Sequence, residues 1–332
     1  ITQFGALLVE SGMRLYGARE VARDHTAAAR IAPSVVASHV IVGLVLLVCA
    51  VVVDMLGVTR PELGRLLPGY AVSLIALPFF VPWIFQGLSH MEWVAAPQAI
   101  RYGVFLVLCV FLVREPAQVA FLPWLEALSM AVGAGVAMWV VRRLKIVFSV
   151  TPSRAFDAAV LRESIPIWAS QVLWVVRMYL PILLLWKMSA EQSVARFDLA
   201  HRVMMVMQAF LTVYLVNLFT PLSQEGKRPG PRFFRLLFGS TALAALGALL
   251  VAFALSGFAG SVLGILYSEV FRQAEATRTL ALLAFLVRVL AIRGHGHFAL
   301  VALGRQRTEL ACSCAGTVLL IAMLFLWVPE RS

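Results

Sequence analysis

Long stretches of this chain run without a single Asp, Glu, Lys or Arg, among them Leu66–Ser89, Val203–Gln224, Leu236–Ser268 and Leu310–Pro329. The shortest of these four has 20 residues, about 30 Å as an α-helix, the thickness of a bilayer's hydrocarbon core. In lipid every backbone N–H and C=O must be satisfied internally, and a run that is apolar on all faces achieves this as a helix. Composition points the same way: 61% of residues are apolar and only 14% charged, where a soluble domain carries about 25% charge. A length of 332 residues would otherwise suggest two or three soluble domains. The chain reads instead as an all-α, polytopic membrane protein.

Ten hydrophobic segments are expected, at roughly 1–18, 34–53, 66–89, 95–113, 119–141, 164–187, 197–221, 236–256, 277–300 and 309–328. The first opens as ITQFGALLVE, like the later part of a helix already under way, so a chain missing its first helix is expected. Alternate loops differ in charge. The set beginning with Arg14–Arg30 holds 15 Lys and Arg residues and the other set 8. By the positive-inside rule, residues 14–30 are cytoplasmic and the C-terminal tail is outside. That topology absorbs most of the net +11 without a nucleic-acid partner, which would need a basic reading face. No loop is large enough for a folded domain. Cys49, Cys109, Cys312 and Cys314 all lie in apolar segments, where neither disulfide nor metal ligation is expected. Hydropathy also hints at a repeat: segments 1–5 align with 7–10 plus one missing helix, a six-plus-six plan. The expected division is an N-terminal lobe over 1–145, a basic cytoplasmic linker over 146–162 and a C-terminal lobe over 163–332, with about five helices in each lobe.

Ionisable groups inside spans cost about 2.5–3.5 kcal/mol each on insertion scales, so each is a functional candidate. Glu10 and Arg14 are spaced i,i+4, as are Asp198 and Arg202; either pair can serve a ligand or merely neutralise itself. Arg177 lies roughly 20 Å deep in its segment, and Arg288 sits near the middle of another. Neither has an acidic residue within a turn. Arg101, Arg196 and Arg293 are near enough to segment ends to snorkel. His295 and His297 resemble a metal pair, but i,i+2 residues do not share a helix face. His39 and Glu126 can carry protons or simply be hydrogen-bonded core. Arginine keeps its charge and binds phosphate or carboxylate bidentately, so an interior lined by arginines suits an anionic cargo. Proton coupling would fall to Glu10, Glu126 or Asp198. Pro68, Pro78 and Pro82 break the third segment, and Pro166 and Pro181 flank Arg177.

The run LPFFVPWIFQGLSHMEWVAAPQAIRYGVFLVLCVFLVREPAQVAFLPWLEALSMAVGAGVAMWVVRRLK resembles the middle of oligosaccharide (O-antigen-type) flippases, polysaccharide biosynthesis proteins of the multidrug/oligosaccharidyl-lipid/polysaccharide (MOP) exporter superfamily. The opening FGALLVESGMRLYGAREVAR is similar to that family's second helix and its cytoplasmic exit. LRESIPIWASQVLWVVRMYLPILLLWKMSAEQSVARFDLAHRV is similar to its seventh helix and the start of the eighth, and LYSEVFRQAEATRTLALLAFLVRVLA followed by LVALGRQR to its tenth. The resemblance implies two pseudo-symmetric, MATE-like lobes around a central cavity in a bacterial inner membrane, with alternating access. The implied cargo is a polyprenyl-pyrophosphate-linked oligosaccharide for O-antigen, capsule or exopolysaccharide. On this register the chain lacks the first helix and all that follows the eleventh. The implied substrate contacts are Arg14, Arg177 and Arg202, with Arg288 next. The implied partners are a lipid-linked anionic oligosaccharide and membrane lipids, with a monomer expected. The driving force is left open among protons, sodium and membrane potential; no cofactor and no metal are expected.

Two other readings compete with this one. A membrane glycosyltransferase or polymerase would need paired catalytic carboxylates and a sizeable exterior loop; Asp54–Arg65 offers neither, and the chain holds no GxxxxGK[ST] or HExxH motif. A drug or cation exporter of the same superfamily would want acidic groups deep in its spans, where this chain has mainly arginines.

Overall fold

The computed structural model describes residues 2–10, 12–57, 66–146, 157–188, 191–266 and 289–327. Among these every regular element is helical. Eight helices are long and apolar enough to cross a membrane, and Val289–Ala302 is a shorter apolar one. The chain is a multi-pass membrane protein. It divides into two compact units, residues 1–171 and 172–332. The remaining part of the ninth expected segment, with Arg288, lies outside the described residues.

In the first unit the expected segment over 1–18 is two helices, α1 (Thr2–Glu10) and α2 (Met13–Arg23). The break falls at Gly12, whose φ of +71° costs a residue without a Cβ nothing. Gly12 also meets the sixth expected segment closely: a Cβ there would stand 2.6 Å from the Ser164 carbonyl oxygen and 2.5 Å from the Trp168 backbone nitrogen. Helix α3 (Ala27–Met55) buries small and polar residues, Ala28, Ala32, Ser34 and Ser38, against the unit. It turns Leu44, Val45 and Val48 outward. This is the membrane pattern, with small residues letting backbones approach and large apolar ones left for lipid.

The segment with three prolines breaks as their spacing predicts, into α4 (Leu67–Ala76), a 3₁₀ turn (Leu77–Phe80) and α5 (Pro82–Gly87). Val81 joins the last two at φ +39°, fully buried and in the left-handed region. Helices α6 (Met91–Leu112) and α7 (Leu122–Arg143) pack together, and α7 also packs on α4, while α2 packs on α5. Trp83, Ile84 and Phe85 of α5 are at most 2% exposed and form the centre of this unit.

Helix α8 (Ala158–Met188) starts in the first unit and continues into the second, through Pro166 and Pro181 without interruption. The second unit continues with α9 (Glu191–Glu225), α10 (Pro231–Leu266), α11 (Val289–Ala302) and α12 (Gln306–Trp327). Leu199 and Met204 form its apolar cluster, packed by Met178, Met207 and Leu290.

Candidate functional site

Polar side chains gather at separate places in each unit. In the first, the end of α1, the start of α2 and the middle of α3 enclose a small pocket lined by Glu10, Arg14 and His39 and closed by Pro78, Val81 and Pro82. Its volume of about 10 Å³ admits roughly one water molecule. Arg14 Nη1 lies 3.5 Å from Glu10 Oε1, the two side chains being 33% and 24% exposed. His39 donates from Nε2 to the Glu10 carbonyl at 2.9 Å. That carbonyl ends α1 and has no partner further along its own helix, which explains why a histidine is placed beside it.

Arg101 does not snorkel. It is 8% exposed, its Nη2 is bonded to Glu126 Oε1 across α6 and α7, and its Nη1 donates to Gln98 at 3.1 Å. Two residues weighed separately in the sequence are therefore one buried ion pair. Spacing could not show this, because they are 25 residues apart. At the end of α2, Arg19 is 4% exposed between Glu20 (2.9 Å) and Glu163 of α8 (3.6 Å). Burial, with Arg19 alongside, pulls the Arg23 guanidinium below its ordinary value, and Glu20 works against that shift.

In the second unit a larger network joins α8, α11 and α12. Arg177 Nη1 donates to the Ser313 carbonyl at 2.6 Å and to Thr317 Oγ1 at 2.9 Å. Arg293 Nη2 donates to Ser313 Oγ at 3.1 Å, and that hydroxyl donates to Glu309 Oε1 at 2.8 Å. His297 Nδ1 reaches the same carboxylate oxygen at 2.9 Å. The deep arginine thus has polar company after all, supplied from a helix some 136 residues later in the chain. Its other terminal nitrogen, Nη2, is buried with no hydrogen-bond partner among the described residues. Arg293 is bonded into this network through Ser313. Glu309, 3% exposed, was missed in the sequence because it sits near the start of its segment, where an acidic residue is unremarkable.

Arg202 and Asp198 form the expected i,i+4 pair at 2.8 Å, with side chains 66% and 33% exposed. The histidines in GHGHF diverge: His295 donates from Nδ1 to the Ala291 carbonyl at 2.8 Å and packs near the Tyr214 ring, while His297 faces Glu309. Of the four arginines singled out, Arg14, Arg177 and Arg202 are placed and each has partners; Arg288 lies outside the described residues.

These helices, with polar groups embedded in them, form a multi-pass helical membrane fold. Solved structures share it. A MATE protein in its bent conformation matches with a TM-score of 0.80 at 15% identity, covering 99% of this chain and 78% of that one. An outward-facing multidrug resistance MATE family transporter of the MOP superfamily matches at 0.74 and 16%, covering 99% and 78%. A MOP superfamily transporter from Pyrococcus furiosus, described as having a binding pocket of reversed polarity, matches at 0.74 and 17%, covering 98% and 78%. At such identities the likeness is one of fold. The family model for polysaccharide biosynthesis proteins matches residues 1–225. The chain belongs to the polysaccharide biosynthesis protein family. No curated protein matches it.

Proposed function

We propose that the protein is a transporter that flips a polyprenyl-pyrophosphate-linked oligosaccharide across the bacterial inner membrane, for assembly of cell-surface polysaccharide. The observation that carries this reading is the joining of family membership with guanidinium groups held inside the helices, Arg177 and Arg293 on Ser313 above all. Arginine is the side chain best suited to a pyrophosphate, because its fork binds oxygen pairs and its charge does not titrate away. Transport rather than covalent chemistry is the role proposed for these groups. Arg14, Arg177 and Arg202 are proposed as contacts for phosphate or anionic sugar. Arg177 has Nη2 left over to offer while Nη1 stays bonded to α12. Glu10 and Asp198, each paired with one of these arginines, are proposed as the groups through which ion coupling would act. Residues 14–30 are proposed to face the cytoplasm and the C-terminal tail the periplasm.

Deletion of the gene should abolish surface polysaccharide while lipid-linked repeat units accumulate inside the cell. The Arg177→Ala variant of the full-length protein should reproduce that phenotype at normal membrane abundance. If repeat units fail to form at all, an enzyme is at work instead. Normal surface polysaccharide from Arg177→Ala would remove Arg177 from the site.

A further inference from the structure

The connection between α9 and α10 carries charge that the fold itself does not neutralise. The apolar spans Phe197–Glu225 and Pro231–Ala254 end and begin there, so these residues stand at the edge of the hydrocarbon. Lys227, Arg228, Arg232 and Arg235 are all exposed. Between Leu222 and Gly239 a single acid, Glu225, stands against these four cations. Its carboxylate lies 3.3 Å from Arg232 Nε, on an arginine side chain that is still 86% exposed.

The start of α10 sets these groups beside apolar rings. Phe233 is fully buried, which fixes the rotation of the helix. At 3.6 residues per turn, Arg232, Phe234, Arg235 and Phe238 then share the opposite face. Phe234 and Phe238 are 47% and 66% exposed, with their rings stacked 6.2 Å apart. Helix electrostatics does not call for an arginine at this end. The first turn of α10 has no acidic residue, and a cation beside the positive end of a helix is disfavoured. The end of α7 makes the contrast. Arg142 and Arg143 lie in its last turn, where cations are favoured, and Arg143 sits 4.8 Å over the Trp139 ring. Those bases find their reason inside the fold, whereas the group at α10 faces outward with three cations unmatched by a neighbouring acid. A face that sets basic tips beside apolar rings matches a surface that is anionic at its headgroups and apolar just beneath them. A soluble phosphate would use the cations and leave both rings idle; a lipid uses both.

We infer that this face of α10, together with Lys227 and Arg228, is a binding surface for acidic phospholipids. The basic side chains meet the headgroup phosphates, and Phe234 and Phe238 lie against the acyl chains. The surface uses none of the residues proposed for cargo.

The test offers the full-length protein in detergent either phosphatidylglycerol or phosphatidylethanolamine with the same chains, and counts bound lipid by native mass spectrometry. Phosphatidylglycerol should be retained at least fivefold more, about the factor expected for each basic residue engaged. Raising the salt from about 0.1 M to about 1 M shortens the Debye length from about 10 Å to about 3 Å and should erase that preference in the unaltered protein. The triple variant Lys227→Gln, Arg228→Gln, Arg235→Gln should bring phosphatidylglycerol down to the phosphatidylethanolamine level. Phe234→Ala with Phe238→Ala should lower retention of both lipids severalfold. The control Arg142→Gln, Arg143→Gln, Lys145→Gln removes the same charge at the end of α7 and should leave the preference in place. Equal retention of the two lipids by the unaltered protein, an equal loss from the α7 control, or displacement of phosphatidylglycerol by inorganic phosphate at equal concentration would overturn the inference.

Discussion

Replacing Glu126 with Leu should be among the most damaging single changes in the first unit, and the structure says why. Arg101 and Glu126 are 8% and 7% exposed and bonded to each other. Without the carboxylate, a guanidinium that cannot shed its proton is left among apolar helices. Breaking one half of a buried pair typically costs about 3–5 kcal/mol. Arg101 would keep its bond to Gln98 and its place over the Tyr102 ring, 4.7 Å from the centroid. Those contacts hold the cost near the lower end, about 3 kcal/mol, since a cation–π contact at an exposed ring is worth only about 0.5–1 kcal/mol. At about 2 °C per kcal/mol for a chain of this size, thermal unfolding in detergent should begin roughly 6 °C earlier. The double variant Arg101→Met, Glu126→Leu should return to within about 1 kcal/mol of the parent, because an apolar pair of similar volume needs no compensation. A loss under about 1 kcal/mol from Glu126→Leu, or a double variant as unstable as the single, would refute this account. The same variants decide what Glu126 is for. If the stable double variant restores surface polysaccharide in a deletion strain, Glu126 is a structural partner; if it is stable and inactive, the carboxylate has a part in coupling.

Gly12→Ala should lower stability by 2 kcal/mol or more, about 1–2 kcal/mol of it from the left-handed backbone and the rest from overlap with the Ser164 and Trp168 backbone; unchanged thermal unfolding would show that α2 does not dock on α8 as described. Thr317→Val removes one of the two acceptors of Arg177 Nη1 and should cost about 1–2 kcal/mol, measurable in the same melting assay, whereas Thr317→Ser should cost little. Glu309→Gln withdraws the charge that both His297 and the Ser313 hydroxyl address. It should impair transport while membrane insertion is kept, and wild-type surface polysaccharide from it would place Glu309 outside the functional network.

How much of this was legible in the sequence depended on the range of the interaction. The spans were readable because lipid forces each segment to satisfy its own backbone, so their limits are written locally. The break over Pro68–Pro82 and the pairs Glu10–Arg14 and Asp198–Arg202 were readable for the same reason, all lying within a few turns. The division of the first segment at Gly12 was not, since only the docking on α8 explains the left-handed turn. Nor were Arg101–Glu126 and the Arg177–Ser313–Arg293–Glu309 network legible. Their partners come from different helices, and no periodicity links residues that tertiary packing brings together. Arg293 illustrates this: its distance from a segment end says nothing of the Ser313 hydroxyl on α12 to which it donates.

The state of each arginine also ranks it as a ligand contact, because a phosphate must compete with whatever the guanidinium already holds. Arg101 is the poorest candidate: releasing Glu126 would strand a second buried charge, at several kcal/mol. Arg14 and Arg202 are much freer. Their partners are half-buried i,i+4 acids, and an i,i+4 pair is worth about 0.3–0.5 kcal/mol, less than a bidentate phosphate contact returns. When displaced, Glu10 or Asp198 becomes a carboxylate without its cation, and taking up a proton or a metal cation is the direct way to restore neutrality. Ligand binding and ion uptake would then be two sides of one exchange at each pair. Arg177 behaves differently, because its bonds run to a carbonyl and a hydroxyl. An anion that reached the buried Nη2 would displace no acid. If the exchange reasoning is right, Arg14→Gln should weaken both cargo binding and the ion dependence of transport, whereas Arg177→Gln should weaken cargo binding and leave the ion dependence as it was.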